Sequence, residues 1–282
     1  MDLSIITVNT NDKEKLIPQI QSLVFGGEGI SYEQIISDNG STDGSVEEIK
    51  NSFPEVIVVE NGKNVGFGSA NNSGFVKASG NFLLLLNPDM RVESGSLKKI
   101  VDWMQAHPDV GIVSPKLIRE DGTLQQSALP RRFPGLIDQV AIILKLPHIF
   151  PSLLNRYLYK GFDSEKEQDV DSVRGSFMLM RREIADRLGW VFDPRYFIWF
   201  EDVDTCREVQ KLGYRVVYTP IISCVDYVGQ TFKRQPSVQK QKWFTASMIK
   251  YFQKWEAPLK TLILRLVRPI GLALTWLHSK LT

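Results

Sequence analysis

The chain has 282 residues, 43% of them hydrophobic and 23% charged, and its formal net charge at pH 7 is only +2. This length and apolar content suffice for one large or two small domains. The balanced charge excludes a global electrostatic argument for nucleic-acid binding, so we expect no nucleic-acid partner. Two widely separated cysteines, Cys206 and Cys224, lack metal-site spacing and are expected to pack in a reducing compartment.

The opening residues run straight into a strand pattern without a basic or apolar leader, so we expect a cytoplasmic protein without a signal peptide. No uninterrupted apolar run reaches the ~20 residues of a membrane span. The nearest, 259–277, is interrupted by Lys260, Arg265, Arg268 and Pro269. Such a segment is typical of a helix that lies on a membrane surface.

The first 115 residues alternate strand and helix patterns. Strands are predicted at 3–8, 34–37, 56–59, 82–86 and 110–113, and helices at 13–23, 45–50, 66–78 and 96–107. Alternating elements predict an α/β, Rossmann-like fold with a mostly parallel central sheet flanked by helices.

Beyond Pro115 the alternation stops. A hairpin is predicted around Asp121-Gly122, and the following elements are an apolar, aromatic stretch at 134–159, a strand-like segment at 170–181, a helix at 202–212 and a strand at 215–218. The chain is helical and basic from Gln235 onward. We therefore predict a domain of residues 1–232, with halves 1–115 and 116–232, and a C-terminal helical region of residues 233–282.

The most informative junction is Asn87-Pro88-Asp89, which follows the apolar run 82–86. Pro88 cannot continue a central strand, so the strand ends there and Asp89 lies at its carboxyl end. Ligands of open α/β sheets bind at this edge, and a carboxylate there can hold a divalent cation against phosphate oxygens. Alone, the same triplet is also an ordinary turn.

Polar residues also follow the first two predicted strands, in the segments 9–11 and 38–45. Neither segment contains GxGxxG or a GxxxxGK[ST] phosphate loop, which disfavours a dinucleotide fold. Their short side chains suit a base or ribose edge, although the same residues are typical of turns.

Taken in order, five motifs resemble glycosyltransferase family 2, whose members have the GT-A fold. They are Ser37 to Ser45, Asn64 to Phe67 with Asn71, Leu84 to Asp89 in place of the family's Asp-X-Asp signature, Gly175 to Leu179, and Phe192-Asp193 with Phe200 to Asp204. The resemblance spans roughly residues 3–232. Its Asn-Pro-Asp variant is most similar to bacterial rhamnosyltransferases of O-antigen and polysaccharide synthesis.

The resemblance implies a nucleotide-sugar donor with the base edge at Asp38. The other residues implied or predicted for the donor site are Thr7, Asn9, Asn39, Asn64, Gly66, Phe67, Asn71 and Asn87. Asp89 is the predicted ligand of Mg²⁺ or Mn²⁺. Asp226 stands where the family often has a histidine, in the segment 223–231, and is either a second metal ligand or a simple strand-end residue.

A carboxylate-rich segment opens the predicted helix at 202–212. Acidic residues in a first turn complement the helix dipole, so a structural role is possible. The resemblance instead gives Asp202 the role of general base, with Glu201 and Asp204 as supports and with Gly175 and Trp199 contacting the acceptor or sugar. A carboxylate base fits direct displacement with inversion.

The C-terminal region is basic and aromatic, and six apolar residues share one helical face: Leu259, Leu262, Leu266, Ile270, Leu274 and Leu277. Most such stripes pack on the protein's own core, but the density of Lys and Arg favours an anionic membrane surface. We expect a peripheral enzyme on the inner face of the cell membrane whose acceptor is a polyprenyl-diphosphate-linked glycan. Residues 136–159 are a second candidate for lipid contact.

The sequence thus favours an inverting, metal-dependent transferase that uses dTDP-rhamnose. Alternatives within the family use UDP-galactofuranose, UDP-galactose or UDP-N-acetylglucosamine. Nucleotidyl transfer would require an N-terminal glycine-rich loop, which segment 9–13 lacks. A non-catalytic, nucleotide-sugar-binding membrane scaffold would explain the C-terminal helices but not Asp89 together with Glu201 and Asp202. The sequence makes no prediction of oligomeric state.

Overall fold

The structure is a computed structural model and describes residues 1–227 and 236–281. The predicted domain boundary at 232/233 lies outside the described residues. Its strands are β1 (Leu3–Asn9), β2 (Tyr32–Asp38), β3 (Ile57–Glu60), β4 (Phe82–Leu86), β5 (Met90–Val92), β6 (Val110–Ile118), β7 (Gln168–Asp169), β8 (Phe177–Arg181) and β9 (Arg215–Asp226). Its α-helices are α1 (Lys13–Gly26), α2 (Ser45–Ser52), α3 (Phe67–Phe75), α4 (Ser96–Ala106), α5 (Leu136–Ile143), α6 (Arg182–Leu188), α7 (Glu201–Lys211), α8 (Ser237–Trp255) and α9 (Pro258–Leu281).

All of these strands join one sheet in the order β3-β2-β1-β4-β8-β6-β9-β5, with β7 paired to β9. The half formed by β3, β2, β1 and β4 is parallel, as the alternating pattern predicts. Beyond it the sheet is mixed, because β8 runs antiparallel between β4 and β6. The predicted α/β fold with a helix-flanked central sheet is confirmed. The predicted division at 115/116 falls inside β6.

The sheet has an apolar layer on each face. Alternate residues of β8 point to opposite faces, so Phe177 and Leu179 join one cluster, while Met178 and Met180 join the other. Helix α4 packs on the first face, and helices α6 and α7 pack on the second. Both cysteines are buried and free, in agreement with the packing role predicted for them.

Glycine allows helix α3 to approach the sheet. A Cβ atom on Gly74 would lie 2.5 Å from Cγ2 of Ile6 on β1, a separation that real side chains do not reach. The glycine-rich composition of this segment is therefore required by close packing, which offsets its low helix propensity.

The C-terminal helices pack on the rest of the chain. Tyr196 and Phe200, which precede α7, form a third apolar cluster with Tyr251 and Phe252 of α8 and with Leu264 of α9. None of the helices in the two described ranges is long and apolar enough to cross a membrane.

Strand register determines where the loops meet. Asn9 and Asp38 lie side by side at the carboxyl ends of β1 and β2, and Leu86 at the end of β4 pairs with Phe177 at the start of β8. The loops after β1, β2 and β4 and the loop before β8 therefore share one edge of the sheet, where ligands of α/β sheets bind.

Candidate active site

A cleft of about 330 Å³ opens among these loops. Seven of the residues that line it were predicted from the sequence: Phe67, Asn87, Gly175, Trp199, Glu201, Asp202 and Asp226. The remaining residues that line the cleft were not predicted as site residues: Ser127, Ala128, Arg174, Ser176 and Ile198. The cleft therefore unites residues that lie as far apart in the chain as Phe67 and Asp226.

A strained turn positions the carboxylates of helix α7. Trp199 and Phe200 have φ angles of +63° and +71°, which bulky L-residues rarely adopt and which cost about 1–3 kcal/mol each. The ring of buried Phe200 packs 5.4 Å from that of Phe244 on α8, and such packing stabilises the turn. Helix α7 consequently begins at the cleft, with Glu201 and Asp202 among the residues that line it.

Asp202 is half-buried, and two backbone amides hold its carboxylate. Its Oδ2 accepts a hydrogen bond of 3.2 Å from the Gly175 amide, and its Oδ1 accepts one of 2.8 Å from the Val203 amide. A Cβ on Gly175 would come within 3.1 Å of the Phe192 ring, so glycine lets this loop approach closely. Asp202 is thus an oriented carboxylate that faces the cleft, as a general base must be.

Glu201 lies beside Asp202 but is buried, and its Oε2 has no hydrogen-bond partner among the described residues. Burial and the neighbouring charge of Asp202 raise the pKa of Glu201 well above its ordinary value. This favours the protonated form of Glu201 and leaves Asp202 as the member of the pair that is placed to accept a proton.

Asp89 and Asp226 are brought together by the short strand β5. Met90 pairs with Asp226 in antiparallel register, and the Tyr227 amide donates to the Asp89 carbonyl at 3.0 Å. Asp89 is buried, and its Oδ1 has no hydrogen-bond partner in the described part of the chain. Burial, reinforced by the charge of Asp226, raises the pKa of Asp89 to about 6.

This pair of carboxylates fits a hard divalent cation, which takes oxygen ligands. A cation would supply the partner that Asp89 Oδ1 lacks, and it would relieve the repulsion between the two carboxylates. No group of three or more His, Cys, Asp or Glu side chains suitable for a metal occurs within 1–227 and 236–281. A cation would therefore need further ligands from substrate phosphates and water.

The loops after β1 and β2 are joined by a network around Asn9. Its side-chain amide donates to Asp38 Oδ1 at 2.9 Å and to Ser45 Oγ at 2.7 Å. Oδ2 of Asp38 accepts from the Gly40 and Ser41 amides at 2.9 Å. The network fixes the conformation of the predicted base-binding loop. Asn9 and Asp38 are both buried within it.

The segment 64–67 forms the adjoining wall. The Asn64 side chain accepts a hydrogen bond from the Gly66 amide at 2.9 Å. Gly66 has φ +92°, and a Cβ there would lie 2.5 Å from the Phe197 carbonyl oxygen, so only glycine fits. Asn39 lies beneath this segment and donates to the Gly66 carbonyl at 3.4 Å.

Thr7 and Asn71 lie behind the walls rather than in the cleft. Thr7 is fully buried and accepts a 2.8 Å hydrogen bond from Gln19. Asn71 is buried and donates to the Phe67 carbonyl at 3.0 Å. Their environments are those of residues that shape the loops.

Asp204 departs from its predicted place beside the base. It is fully buried and bonded to Lys254 and Trp255, both at 2.6 Å, and to the Tyr196 hydroxyl at 3.1 Å. It does not line the cleft. Residues two apart on a helix point about 200° away from each other, so Asp204 faces α8 when Asp202 faces the cleft.

Arg174 is the charged cleft residue that the sequence reasoning missed. It precedes the predicted Gly175 motif, and a basic residue next to a ligand-binding motif was the available signal. Its Nη2 donates to the Ser127 carbonyl at 2.7 Å, and its charge acts on Glu201. It gives the cleft a cation among its carboxylates.

Comparison with known proteins agrees with this geometry. The model of the family described as Glycosyl transferase family 2 matches residues 4–189. An N-acetylglucosaminyl-diphospho-decaprenol L-rhamnosyltransferase of Mycobacterium tuberculosis is 27% identical over 242 residues, which cover 80% of this chain and 78% of the relative. The rhamnosyltransferase WbbL of Escherichia coli K12 is 25% identical over 196 residues, which cover 67% of this chain and 70% of the relative.

Solved structures share the fold. The mannosyltransferase PcManGT of Pyrobaculum calidifontis, in complex with GDP-Man and Mn²⁺, aligns with a TM-score of 0.58 at 18% identity, over 99% of this chain and 75% of that one. TarS of S. aureus, in complex with UDP, aligns with a TM-score of 0.55 at 15% identity, over 96% and 71%. With the family match over residues 4–189, these findings confirm the predicted resemblance, and the chain belongs to glycosyl transferase family 2.

Proposed function

We propose that this glycosyltransferase moves L-rhamnose from dTDP-L-rhamnose to a polyprenyl-diphosphate-linked glycan, with inversion at the anomeric carbon. The observation that carries the proposal is a single cleft lined by Asp202, Asn87 and Asp226. In this cleft Asp202 could take a proton, and Asp226, which lies beside Asp89, could contact a metal-bound diphosphate. The rhamnosyltransferases among its relatives, one of which is named for a diphospho-decaprenol acceptor, support this choice of substrates.

The donor would enter between the loops after β1 and β2. Asp38 and Asn9, whose network fixes those loops, are the residues we assign to the nucleotide, with Asn39, Asn64 and Gly66 as the adjoining wall. Phe67 and Asn87 line the inner part of the cleft, where the sugar and ribose would lie. The UDP-linked donors considered above compete with dTDP-rhamnose for this assignment.

The reaction needs a proton acceptor because the acceptor hydroxyl must be deprotonated as it attacks. Its oxygen forms a bond to the anomeric carbon, the bond from that carbon to the diphosphate breaks, and the proton passes to Asp202. Glu201 would support this base from its buried position, while Gly175 orients it through its amide. Trp199 would contact the sugar.

Asp89 and Asp226 are the residues that would hold Mg²⁺ or Mn²⁺. When bound, such an ion stabilises the negative charge on the departing diphosphate as a Lewis acid. Asn87 follows strand β4, and its backbone N–H donates to the Ser176 carbonyl at 2.9 Å. This bond fixes the loop that carries Asp89.

Helix α9 provides the membrane contact in this proposal. Its inner face packs on α5 and α8, whereas the predicted apolar face is exposed, with Leu259 and Leu266 each 66% accessible. Lys260, Arg265 and Arg268 lie on the same helix. An amphipathic helix of this kind binds an anionic bilayer through apolar burial and attraction of its cations to headgroups.

The donor and metal can be tested together by thermal unfolding with dTDP, UDP and GDP, each with and without Mn²⁺. A ligand at 100 times its Kd raises the free energy of unfolding by about 2.7 kcal/mol. We expect the largest rise with dTDP and Mn²⁺, followed by transfer from dTDP-rhamnose in a donor panel. A larger rise with UDP or GDP, together with transfer from the matching sugar nucleotide, would show that the donor is not dTDP-rhamnose.

Membrane binding is tested by substitution rather than truncation, because removal of α9 would uncover Leu264 and the third apolar cluster. The double variant Leu262→Gln and Leu266→Gln should weaken binding to anionic vesicles, measured by sedimentation, by roughly 30–150-fold, since each substitution loses about 1–1.5 kcal/mol of apolar burial. Val24→Gln with Val76→Gln, at exposed positions elsewhere, is the matched control. Equal binding of vesicles by both double variants would show that the exposed face of α9 does not contact the membrane.

A further inference from the structure

A second cavity of about 200 Å³ lies next to the active-site cleft. Arg174, Trp199 and Asp202 line both, so the two spaces meet at the proposed base. The other walls of the second cavity are largely apolar and include Leu129, Ile142, Tyr157 and Phe244. A substrate that presents its hydroxyl to Asp202 could therefore extend into this cavity.

Two guanidinium groups face this cavity. The backbone of Arg131 is bonded to that of Ser172, with both N–H to O distances at 3.1 Å, which brings Arg131 beside Arg174. Both side chains donate to the Ser127 carbonyl, at 3.2 Å from Arg131 and 2.7 Å from Arg174. Two cations from distant segments are thus held side by side at one carbonyl oxygen.

The donor capacity of this pair is incompletely used. The Nε atoms of Arg131 and Arg174 are both buried, and neither has a hydrogen-bond partner among the described residues. Burial, followed by the repulsion of Arg174, lowers the pKa of Arg131 to about 10. Within the same described ranges, neither guanidinium forms an ion pair with a carboxylate. Buried N–H groups without partners are costly, so the pair is suited to an anion that supplies several oxygens.

An apolar surface adjoins the cavity. Ile142 of α5 lines the cavity, and the next residue, Ile143, touches α9, where a Cβ on Gly271 would lie 2.4 Å from Ile143 Cγ2. Residues of the segment that follows Gly135 are exposed and apolar, as is the outer face of α9: Ile137, Ile149, Phe150, Leu153, Leu158, Leu262 and Leu266. An anion that carries a long hydrocarbon chain would match a cationic cavity beside such a surface.

We propose that Arg131 and Arg174 bind the diphosphate of the lipid-linked acceptor, so that its first sugar reaches Asp202 and its polyprenyl chain lies along the apolar surface. The proposal rests on the proposed function and assigns a second diphosphate site to it, separate from the donor diphosphate at Asp89 and Asp226. Planar guanidinium groups suit this role because they bind phosphate oxygens through paired N–H donors.

The test measures the KM values for acceptor and donor in Arg131→Gln, with a farnesyl-diphosphate-linked sugar as the acceptor. We expect the acceptor KM to rise at least tenfold, because charge-assisted hydrogen bonds are lost, while the donor KM changes less than threefold. Arg132→Gln is the control: Arg132 is the adjacent arginine, is exposed and does not line the cavity. It stacks on Tyr159 as Arg131 does on Tyr157, so the control also accounts for the loss of such a contact. If Arg131→Gln does not fold, Arg131→Lys takes its place. Lysine keeps the positive charge but lacks the planar guanidinium, so the acceptor KM should lie between those expected for the wild type and for Arg131→Gln.

Farnesyl diphosphate without a sugar distinguishes whether the arginines bind the diphosphate of the acceptor lipid or that of the sugar-nucleotide donor. It should inhibit the wild-type enzyme competitively against the acceptor, and at least tenfold less in Arg131→Gln. Competition against the donor, or a rise in the donor KM alone, would assign the arginines to the donor diphosphate and overturn the proposal. An unchanged acceptor KM would also overturn it.

Failure of the proposed function gives a different result. If the wild-type protein transfers no sugar to any diphosphate-linked acceptor, calorimetric binding of farnesyl diphosphate still reports on the site. Binding that is lost in Arg131→Gln and kept in Arg132→Gln would then support the anion site alone. Absence of wild-type binding would reject it.

Discussion

Two groups of carboxylates lie on opposite sides of the first turn of α7, and they have contrasting partners. Glu201 and Asp202 face the cleft and have no salt bridge to a lysine or arginine among the described residues. Asp204 and Asp193 lie on the other side, and both bond to Lys254, at 2.6 Å and 3.0 Å. One acidic motif thus places one carboxylate at the cleft and another against α8.

The contrast shows how a function can cost stability. A buried carboxylate without a cation is unfavourable, and this appears as the raised pKa of Glu201 at the cleft and of Asp89 beside β5. Behind the turn, Lys254 bonds to Asp193, to Asp204 and, at 2.8 Å, to Glu208, although burial outweighs these bonds for Asp204 and raises its pKa as well. Substitutions on the two sides should therefore separate activity from stability.

The largest effect is expected for Asp202→Asn. The amide cannot accept the proton of the acceptor hydroxyl, so transfer should fall by roughly 10²–10⁴-fold. The melting temperature should change little, because the removal of repulsion with Glu201 offsets the loss of one of the two backbone hydrogen bonds, and donor affinity should stay close to that of the wild type. A more damaging Glu201→Gln would show that the base is the neighbouring residue.

Asp89→Asn should reduce turnover at least tenfold, or about 1.4 kcal/mol in activation free energy, because it removes a charged metal ligand while keeping the shape. Excess chelator should abolish wild-type transfer, and Mn²⁺ or Mg²⁺ should restore it. Full wild-type activity in excess chelator would contradict the assignment of a metal to Asp89 and Asp226.

Asp204→Asn should have the opposite signature. It removes the charge bonded to Lys254 in a buried site, which we expect to lower the free energy of unfolding by about 1–3 kcal/mol. Lys254 keeps Asp193 and Glu208 as partners, which limits the loss. Transfer per folded molecule should change less than threefold. An activity loss as large as that of Asp202→Asn, with unchanged stability, would show that Asp204 takes part in catalysis.

The smallest effect concerns acid stability. Burial alone would raise the pKa of Asp193, but hydrogen bonds from Arg195 and Lys254 outweigh it and hold the pKa at about 2, below the ordinary 3.8. A depressed pKa stabilises the folded state above pH 3.8, and this contribution is lost as the pH falls from 3.8 towards 2. Asp193→Asn should flatten that part of the curve of unfolding free energy against pH. An unchanged slope of unfolding free energy against pH would show that other carboxyl groups determine the acid stability in this range.

Local sequence signals predicted the parallel half of the fold. The apolar run 82–86 and the proline after it specify a buried strand with a defined end, which placed Asn87 at the edge of the sheet where the cleft lies. Asp226 was assigned from the family resemblance, because the strand predicted before it ended at residue 218. The helical period, which sets Asp202 and Asp204 about 200° apart, was also present in the sequence. It could have excluded Asp204 from the site.

Long-range pairing was not predictable in the same way. Nothing in the residues near Phe177 specifies that β8 inserts antiparallel between β4 and β6. Arg131 and Arg174 are brought together by a bridge between Arg131 and Ser172, which is a contact between distant segments. The positive φ angles of Trp199 and Phe200 are likewise imposed by packing with α8, against the intrinsic preference of both residues.

The anomeric configuration of the product tests the central claim most directly, because a base at Asp202 implies a single displacement. The product formed from the preferred sugar nucleotide would be analysed by NMR and compared with the donor. We predict an inverted configuration with the wild-type enzyme, and a product of the same configuration, formed far more slowly, with Asp202→Asn. Retention of the donor configuration would contradict the account, since it would require a covalent intermediate or front-side attack instead of a base.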